Sequence, residues 1–244
     1  MLIEIRKAGF KNKGAELMQR AILDKVDSLY PDARIAMAPS SASATFEQRV
    51  RMGFYQKAWH WKYGRQWGQL ASLVPKKLRE MYGVVLDKEV DFVLDASGFS
   101  YSDQWGVSNS VELAVASNGW KKRGTPCVLL PQAFGPFTTR KIRDAMIRAT
   151  NNIDLIYARD ERSYEFLISV VGRRDNVKIA PDFTNLMAGQ VPAYFNREEH
   201  KFCVVPNYRM IDKTSQIASG QYIPFLVAAV RHLLDRNAKP FILI

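Results

Sequence analysis

The chain has 244 residues, of which 47% are apolar and 24% charged, and 35 basic against 24 acidic residues give a net charge of +11. The apolar fraction excludes global disorder, two cysteines exclude a disulfide framework, and three scattered histidines indicate no metal cluster. The apolar run at residues 225–230 is far too short to span a membrane, and the first residues do not follow the pattern of a signal peptide. We therefore expect a cytoplasmic protein.

The positive charge is concentrated between Thr45 and Lys88. Nine basic and three acidic residues lie in this stretch, a net charge of +6, and Trp59, Trp61 and Trp67 are interleaved with them. The basic balance of the chain favours an anionic partner, which is nucleic acid, an anionic membrane face or a phosphorylated substrate. We expect a partly helical insertion at about residues 45–88 that makes peripheral contact with an anionic membrane, or a solvated insertion with some buried tryptophans.

Short apolar strands alternate with amphipathic helices along the chain. This order predicts an α/β fold with a doubly wound, Rossmann-like parallel sheet over residues 1–188. The predicted strands lie at residues 2–6, 34–38, 91–95, 126–130, 153–158 and 177–180, and the predicted helices at 14–30, 110–123, 139–151 and 160–171.

A polar linker at residues 189–199 precedes a second set of elements. A strand at 202–205, a helix at 222–236 and a strand at 240–244 are too few to complete a doubly wound domain. We therefore expect residues 200–244 to be the start of a second Rossmann-like domain that is truncated.

Loops at the carboxyl ends of parallel strands are where such sheets bind ligands. Asn12, Gly14 and Glu16 open the first helix, whose free amides would suit an anion, although a βα turn that needs a small residue explains Gly14 equally well. Ser97 and Gly98 follow a buried strand, and the loop continues to Asp103. Its hydroxyls and carboxylate are suited to a sugar or another polyol.

The next strand ends provide further candidates. Gln132 and Gly135 lie in a loop stiffened by two prolines, which indicates either a ligand site or a tight turn. Arg159 offers a planar donor fork for a carboxylate or phosphate, and Asp160 is placed to cap the following helix. Asp182 ends the last strand of the domain. The alternative role of Arg159 is a structural ion pair with Asp182 or with Asp160.

Together these segments resemble the polysaccharide pyruvyl transferase family. The resemblance covers residues 1–188 well and 200–244 loosely, and the sequence departs from the family in having Ala96-Ser97-Gly98 for a glycine-rich loop and no histidine at a strand end of the second domain. The motifs are Asn12-x-Gly14-Ala15-Glu16-Leu17, Asp95-x-Ser97-Gly98, Leu130-Pro131-Gln132-x-x-Gly135-Pro136-Phe137, Ala158-Arg159-Asp160-x-x-Ser163 and Pro181-Asp182.

The resemblance implies two Rossmann-like domains of the GT-B type. It implies transfer of a pyruvyl group from phosphoenolpyruvate to a hydroxyl of a glycan or lipid-linked glycan, without metal, nicotinamide or another cofactor. Substrate-binding residues are expected in the five motifs and at Asp103, with Arg159 as the anion fork. None of the three histidines fits the role of general acid, so with a truncated second domain we expect the 244-residue chain to be catalytically incomplete.

Two other functions are compatible with the sequence. A GT-B glycosyltransferase would bind a nucleotide sugar instead of phosphoenolpyruvate. A non-catalytic nucleic-acid-binding protein is suggested by the net charge and the tryptophans, and it would bind single strands in a salt-sensitive manner. We prefer the pyruvyl transferase and expect no nucleic-acid partner.

Overall fold

The computed structural model divides into two units, Met1–Met187 and Ala188–Ile244. A sheet of eight parallel strands lies in the first unit. The structure describes residues 1–40, 44–212 and 214–243. The strands of the large sheet are β1 (Leu2–Arg6), β2 (Arg34–Met37), β3 (Tyr55–Lys57), β6 (Val84–Val85), β7 (Phe92–Asp95), β8 (Cys127–Gln132), β9 (Leu155–Ala158) and β10 (Val177–Ile179), and a hairpin is formed by β4 (Trp61–Lys62) and β5 (Arg65–Gln66).

Helices connect the strands of the sheet, whose order is β10-β9-β8-β7-β1-β2-β3-β6. Every described pairing in it is parallel, so the α/β fold with a parallel sheet is confirmed. The helices of this unit are α1 (Lys13–Leu29), α2 (Phe46–Arg51), α3 (Lys76–Met81), α4 (Val107–Arg123), α5 (Arg140–Asn152) and α6 (Glu161–Val171).

Alternate residues of β1 face opposite sides of the sheet. Ile3 and Ile5 belong to the apolar cluster that includes Ile22 and Val26 of α1. Leu2 belongs to the cluster on the other side, which includes Trp120 of α4. Glu4 and Arg6 have the same strand parity as Leu2, so the side of the sheet beneath α4 buries charged groups.

The basic stretch at residues 45–88 contributes more to the sheet than its sequence predicts. It contains α2 and α3, but β3 and β6 also extend the large sheet at one edge. These strands have three and two residues, too few for an alternating pattern to be recognised, and β3 includes the charged residue Lys57. Lys57 is nevertheless 1% exposed, because Glu4 and Asp87 pair with it.

The helix predicted to begin after Thr139 is present as α5, with Thr139 at its N-cap position. The Thr139 side chain makes no capping hydrogen bond, however. Instead, the carboxylate of Asp103 accepts hydrogen bonds from the backbone amides of Thr138 and Thr139 at 2.6 and 3.1 Å.

The second unit contains a parallel pair of strands and two helices. β11 (Cys203–Val204) pairs with β12 (Phe241–Ile242), and α7 (Arg209–Asp212) and α8 (Gln216–Asp235) lie between them in the chain. The predicted helix thus begins six residues earlier than expected and continues through Pro224. Of the predicted strand at 240–244, residue 244 lies outside the described residues. In the part of the chain that the structure describes, no helix is long and apolar enough to cross a membrane.

One ion pair anchors α3 to the chain segment that follows β6. Two nitrogens of Arg79 donate to the two carboxylate oxygens of Glu89, each at 2.8 Å, and the Leu86 amide donates to the same carboxylate at 2.8 Å. The Arg79 hydrogen bonds lower the pKa of Glu89 from its ordinary value of 4.5. The ionised carboxylate therefore stabilises the folded state.

Replacing Glu89 with glutamine is expected to lower the free energy of unfolding by about 2 kcal/mol at pH 7, because the charged hydrogen bonds to Arg79 are lost. A carboxyl whose pKa is lowered on folding stabilises the protein fully above its ordinary pKa and loses that effect as the pH falls through the folded value. The difference from the wild type should therefore shrink below pH 4.5. Urea unfolding followed by tryptophan fluorescence measures it.

The matched control is Glu47→Gln, which removes an exposed pair with Arg51 at 2.6 Å. That change should cost less than about 0.5 kcal/mol. A Glu89→Gln deficit that is independent of pH would contradict the stabilising role of the ionised carboxylate.

Candidate functional site

The order of strands in the large sheet reverses between β1 and β7. From β1 the chain continues outward through β2, β3 and β6, then returns to the other side of β1 and continues through β7, β8, β9 and β10. In doubly wound sheets a crevice forms outside the carboxyl ends of the strands at such a switch point. Arg6 and Asp95 are the last residues of β1 and β7 and lie opposite each other in the register.

Arg6 forms the centre of a buried charge layer. Its Nη2 donates to both carboxylate oxygens of Glu112 at 2.9 and 2.8 Å, and its Nε donates to Asp95 at 3.3 Å. The guanidinium carbon lies 4.7 Å from the ring centre of Trp120 and 5.6 Å from that of Trp59, within the range of cation–π attraction. Arg6 is thus held by carboxylates and by aromatic rings.

Lys57 of β3 joins this layer through Glu4 of β1. Its ammonium pairs with Glu4 and lies 2.6 Å from Asp87, and it lies 4.4 Å from the ring centre of Trp59. We call the five buried members of this cluster the buried charge layer: Glu4, Arg6, Lys57, Asp95 and Glu112.

Burial and neighbouring charges shift the pKa values of Arg6 and of Tyr101, which contacts the layer. Burial alone disfavours the charged form of Arg6, but Glu112 and Glu4 keep its pKa well above the ordinary value. Burial raises the pKa of the Tyr101 phenol, and the charge of Asp95 raises it further. Tyr101 therefore stays protonated and donates to Asp95 at 2.7 Å.

Glu4 and Lys7 have pKa values shifted in the direction of their neutral forms. Burial raises the pKa of Glu4, although Lys57 and Arg6 lower it. Burial lowers the pKa of Lys7, and Glu112 opposes that shift. Titratable groups perturbed in this way are concentrated at functional sites.

A cavity of about 380 Å³ opens beside these groups at the carboxyl ends of β1 and β2. We call it the switch-point cavity. Its walls include Glu4, Arg6, Lys7, Met37, Ala38, Pro39, Trp59, Trp61, Ser100, Asn109 and Glu112. The structure thus places two of the three tryptophans of the basic stretch at this cavity, whereas Trp67 is 43% exposed and membrane contact by the stretch stays a prediction.

The residues predicted from the first motif lie at the start of α1. Asn12 caps the helix, since its side-chain oxygen accepts from the amides of Gly14 and Ala15 at 2.9 and 3.4 Å. A Cβ at Gly14 would lie 3.2 Å from that oxygen, which explains the small residue. Glu16 accepts hydrogen bonds from Lys13 and Arg20. Local structure accounts for these three residues, and ligand binding by them stays a prediction.

The structure brings together the predicted residues that end β7, β8 and β9. Ser97 donates to the side-chain oxygen of Gln132, the Gly98 carbonyl accepts from the Ala133 amide at 2.8 Å, and the Arg159 amide donates to the Gln132 carbonyl at 3.0 Å. Gln132 is fully buried, and its side-chain nitrogen has no hydrogen-bond partner among the described residues.

Arg159 continues this edge with a loosely held side chain. Its Nε lies 3.9 Å from Asp160 and its Nη1 4.0 Å from Asp182, and the side chain is 39% exposed. Asp160 caps α6 by accepting from the Ser163 amide at 2.7 Å, as predicted, and Asp182 accepts from the amide and hydroxyl of Thr184 at 3.0 and 2.8 Å. Both carboxylates are thus engaged by their own segments, and ligand binding by Arg159 stays a prediction.

Asp103 and Gly135 have evident structural roles. Burial opposes ionisation of Asp103, but hydrogen bonds from the amides of Thr138 and Thr139 hold its pKa below the usual range. Gly135 has a φ of 72°, and a Cβ there would lie 2.6 Å from Cβ of Phe166 in α6. Substrate binding by Asp103 or Gly135 stays a prediction.

Sequence reasoning missed the buried charge layer and the switch-point cavity. One signal was present, because β1 has the sequence Leu-Ile-Glu-Ile-Arg and charged residues at alternate positions of an otherwise apolar strand require buried partners. Those partners lie 53 to 106 residues away in the chain. The sequence alone does not identify them.

A family model described as polysaccharide pyruvyl transferase matches residues 12–244 of this chain. The match covers nearly the whole chain, which therefore belongs to this family. No curated protein matches the chain.

Crystal structures of Anabaena Alr3699/HepE are similar to this chain. The complex with UDP has a TM-score of 0.50 at 14% identity and covers 99% of this chain and 68% of that one. The complex with UDP-glucose has a TM-score of 0.43 at 18% identity and covers 75% of this chain, and the complex with UDP and glucose has a TM-score of 0.42 at 15% identity and covers 87%. This chain spans 44% and 48% of the length of those two. At such identities the likeness concerns the fold alone.

Replacing Gly135 with alanine is expected to lower the free energy of unfolding by about 3 kcal/mol, through left-handed backbone strain and overlap with Phe166. Gly124 is the matched control, since it has a φ of 70° but nothing within 4 Å of a Cβ. Gly124→Ala should cost only about 1 kcal/mol. Urea unfolding compares the two, and equal losses would show that Phe166 does not require the glycine.

Proposed function

Because the chain belongs to the polysaccharide pyruvyl transferase family, we propose that it transfers a pyruvyl group from phosphoenolpyruvate to a sugar hydroxyl as a ketal. The acceptor is a glycan or lipid-linked glycan in the synthesis of a cell-surface polysaccharide or exopolysaccharide, made in the cytoplasm. The observation that carries this proposal is the family match over residues 12–244. The reaction itself requires no metal or redox cofactor.

The proposed reaction forms two C–O bonds and breaks one. Two hydroxyl oxygens of the acceptor add to C2 of phosphoenolpyruvate, the methylene carbon gains a proton and becomes a methyl group, and phosphate leaves from C2. One hydroxyl proton balances the new C–H bond and the other leaves with phosphate. The enzyme therefore has to bind a carboxylate and a phosphate, and it has to move protons.

Arg159 is the residue that best supports binding of phosphoenolpyruvate. It is a permanently charged planar fork, it follows a strand at the ligand-binding edge, and its distances of 3.9 and 4.0 Å to Asp160 and Asp182 leave its donors free for an anion. The buried amide nitrogen of Gln132, which has no partner among the described residues, is a further donor at the same edge.

Calorimetric titration of the 244-residue chain with phosphoenolpyruvate, and separately with UDP-glucose, tests the proposal. We expect phosphoenolpyruvate to bind. Arg159→Lys should lower the affinity for phosphoenolpyruvate about tenfold, because lysine cannot form two parallel hydrogen bonds with a carboxylate or phosphate. Arg162→Lys is the matched control, since Arg162 is exposed and lies on the first turn of α6. It should change the affinity less than about twofold.

Binding of UDP-glucose without binding of phosphoenolpyruvate would overturn the proposal and favour a glycosyltransferase that uses a nucleotide sugar. Equal losses in the Arg159 and Arg162 variants would show that Arg159 is not the donor fork.

A further inference from the structure

The switch-point cavity has the size and the wall composition of a small-ligand site. Its volume of about 380 Å³ lies within the range of ligand pockets, and its residues come from β1, the end of β2, the segment of Trp59 and Trp61, and α4. All of them belong to the first unit. None of these residues lies in the motifs that carry the family resemblance.

The two indole side chains make one part of the wall aromatic. Trp59 is held in place by the cations Lys57 and Arg6, at 4.4 and 5.6 Å from its ring centre. Trp61 is half-buried in the hairpin strand β4. Aromatic side chains offer a large apolar surface, which matches the C–H surface of a sugar ring.

Polar groups make the rest of the wall suitable for hydroxyls. Glu4 is fully buried, and its Oε1 has no hydrogen-bond partner among the described residues, so it is left to accept from a ligand hydroxyl. Asn109 accepts from the Lys7 ammonium at 2.9 Å. Lys7 itself has a φ of 56°, a backbone conformation that non-glycine residues rarely adopt outside functional sites and turns.

The charges of the wall cancel, which decides the class of ligand. Arg6 pairs with Glu112 and Asp95, Lys7 lies 3.8 Å from Glu112, and Glu4 pairs with Lys57. No positive charge is left over for a carboxylate and a phosphate. An anion as strongly charged as phosphoenolpyruvate would meet two carboxylates there.

We propose that the switch-point cavity binds the acceptor as an uncharged sugar ring, at a site distinct from that of the anionic donor. This inference rests on the proposed function for the identification of the sugar as the acceptor. Trp59 and Trp61 contact the C–H surface of the ring, and Glu4 and Asn109 take part in hydrogen bonds with its hydroxyls. Lys7 donates from the strand end.

Saturation-transfer NMR of the 244-residue chain tests this site directly. The probes are methyl α- and β-glycosides of the common hexoses and N-acetylhexosamines, with phosphoenolpyruvate as competitor. We expect at least one glycoside to bind and phosphoenolpyruvate not to displace it. Trp61→Ala should lower the affinity for the glycoside about tenfold, because the contact with the indole ring is lost. Trp61→Phe should restore most of the affinity, which separates ring contact from misfolding of the hairpin.

Trp67→Ala is the matched control. This tryptophan lies in the same stretch outside the wall, with its indole nitrogen donating to the Lys62 carbonyl at 3.1 Å, and its removal should change the affinity less than about twofold. Absence of glycoside binding, displacement by phosphoenolpyruvate, or equal effects of the Trp61 and Trp67 variants would overturn the assignment. Glycoside binding by a chain that fails to bind phosphoenolpyruvate would uphold the cavity assignment and overturn the proposed donor.

Discussion

The pairing of Arg6 with Glu112 and Asp95 is the interaction on which the centre of the sheet depends. It joins the last residue of β1 to the last residue of β7 and to α4, beneath the ring of Trp120. Removing charges from water costs several kcal/mol for each ion, and only close partners offset that cost. Any arrangement of β1, β7 and α4 that separates these groups leaves an uncompensated charge in the interior, so the layer enforces one register at the switch point.

The same charge balance divides the ligand-binding edge of the sheet into two parts. At the switch point, carboxylates have already neutralised the cations, and the adjoining cavity suits an uncharged ring with hydroxyls. At the end of β9, Arg159 lies 3.9 and 4.0 Å from its carboxylate neighbours, and we propose it as the fork that binds the anion. A transferase that joins an anionic donor to a sugar, as in the function we propose, needs both environments.

The fold was predictable where the signal is local. Strands β1, β2 and β7 to β10 are apolar runs separated by amphipathic helices, and their order alone places Ser97, Gln132 and Arg159 at one edge. β3 and β6 were not predictable, because each is too short to show an alternation of apolar and polar residues. In addition, the burial of Lys57 depends on its pairing with Glu4, 53 residues away in the chain. The switch-point cavity was missed for the same reason, since Trp59 and Trp61 are distant from Arg6 in the sequence and line the cavity with it only in the folded chain.

A double-mutant cycle on Arg6 and Glu112 tests the role of this pairing most directly. All five tryptophans lie in residues 1–187, so their fluorescence during urea unfolding reports on that unit. Arg6→Met and Glu112→Gln are each expected to lower the free energy of unfolding by about 3–5 kcal/mol. The first leaves Asp95 and Glu112 without the guanidinium between them, and the second leaves Arg6 with the Asp95 hydrogen bond at 3.3 Å as its carboxylate contact among the described residues. The double variant should lose clearly less than the sum, with a coupling of about 1–3 kcal/mol. If the loss in the double variant equals the sum of the two single losses within about 0.5 kcal/mol, a central role for this pair is contradicted.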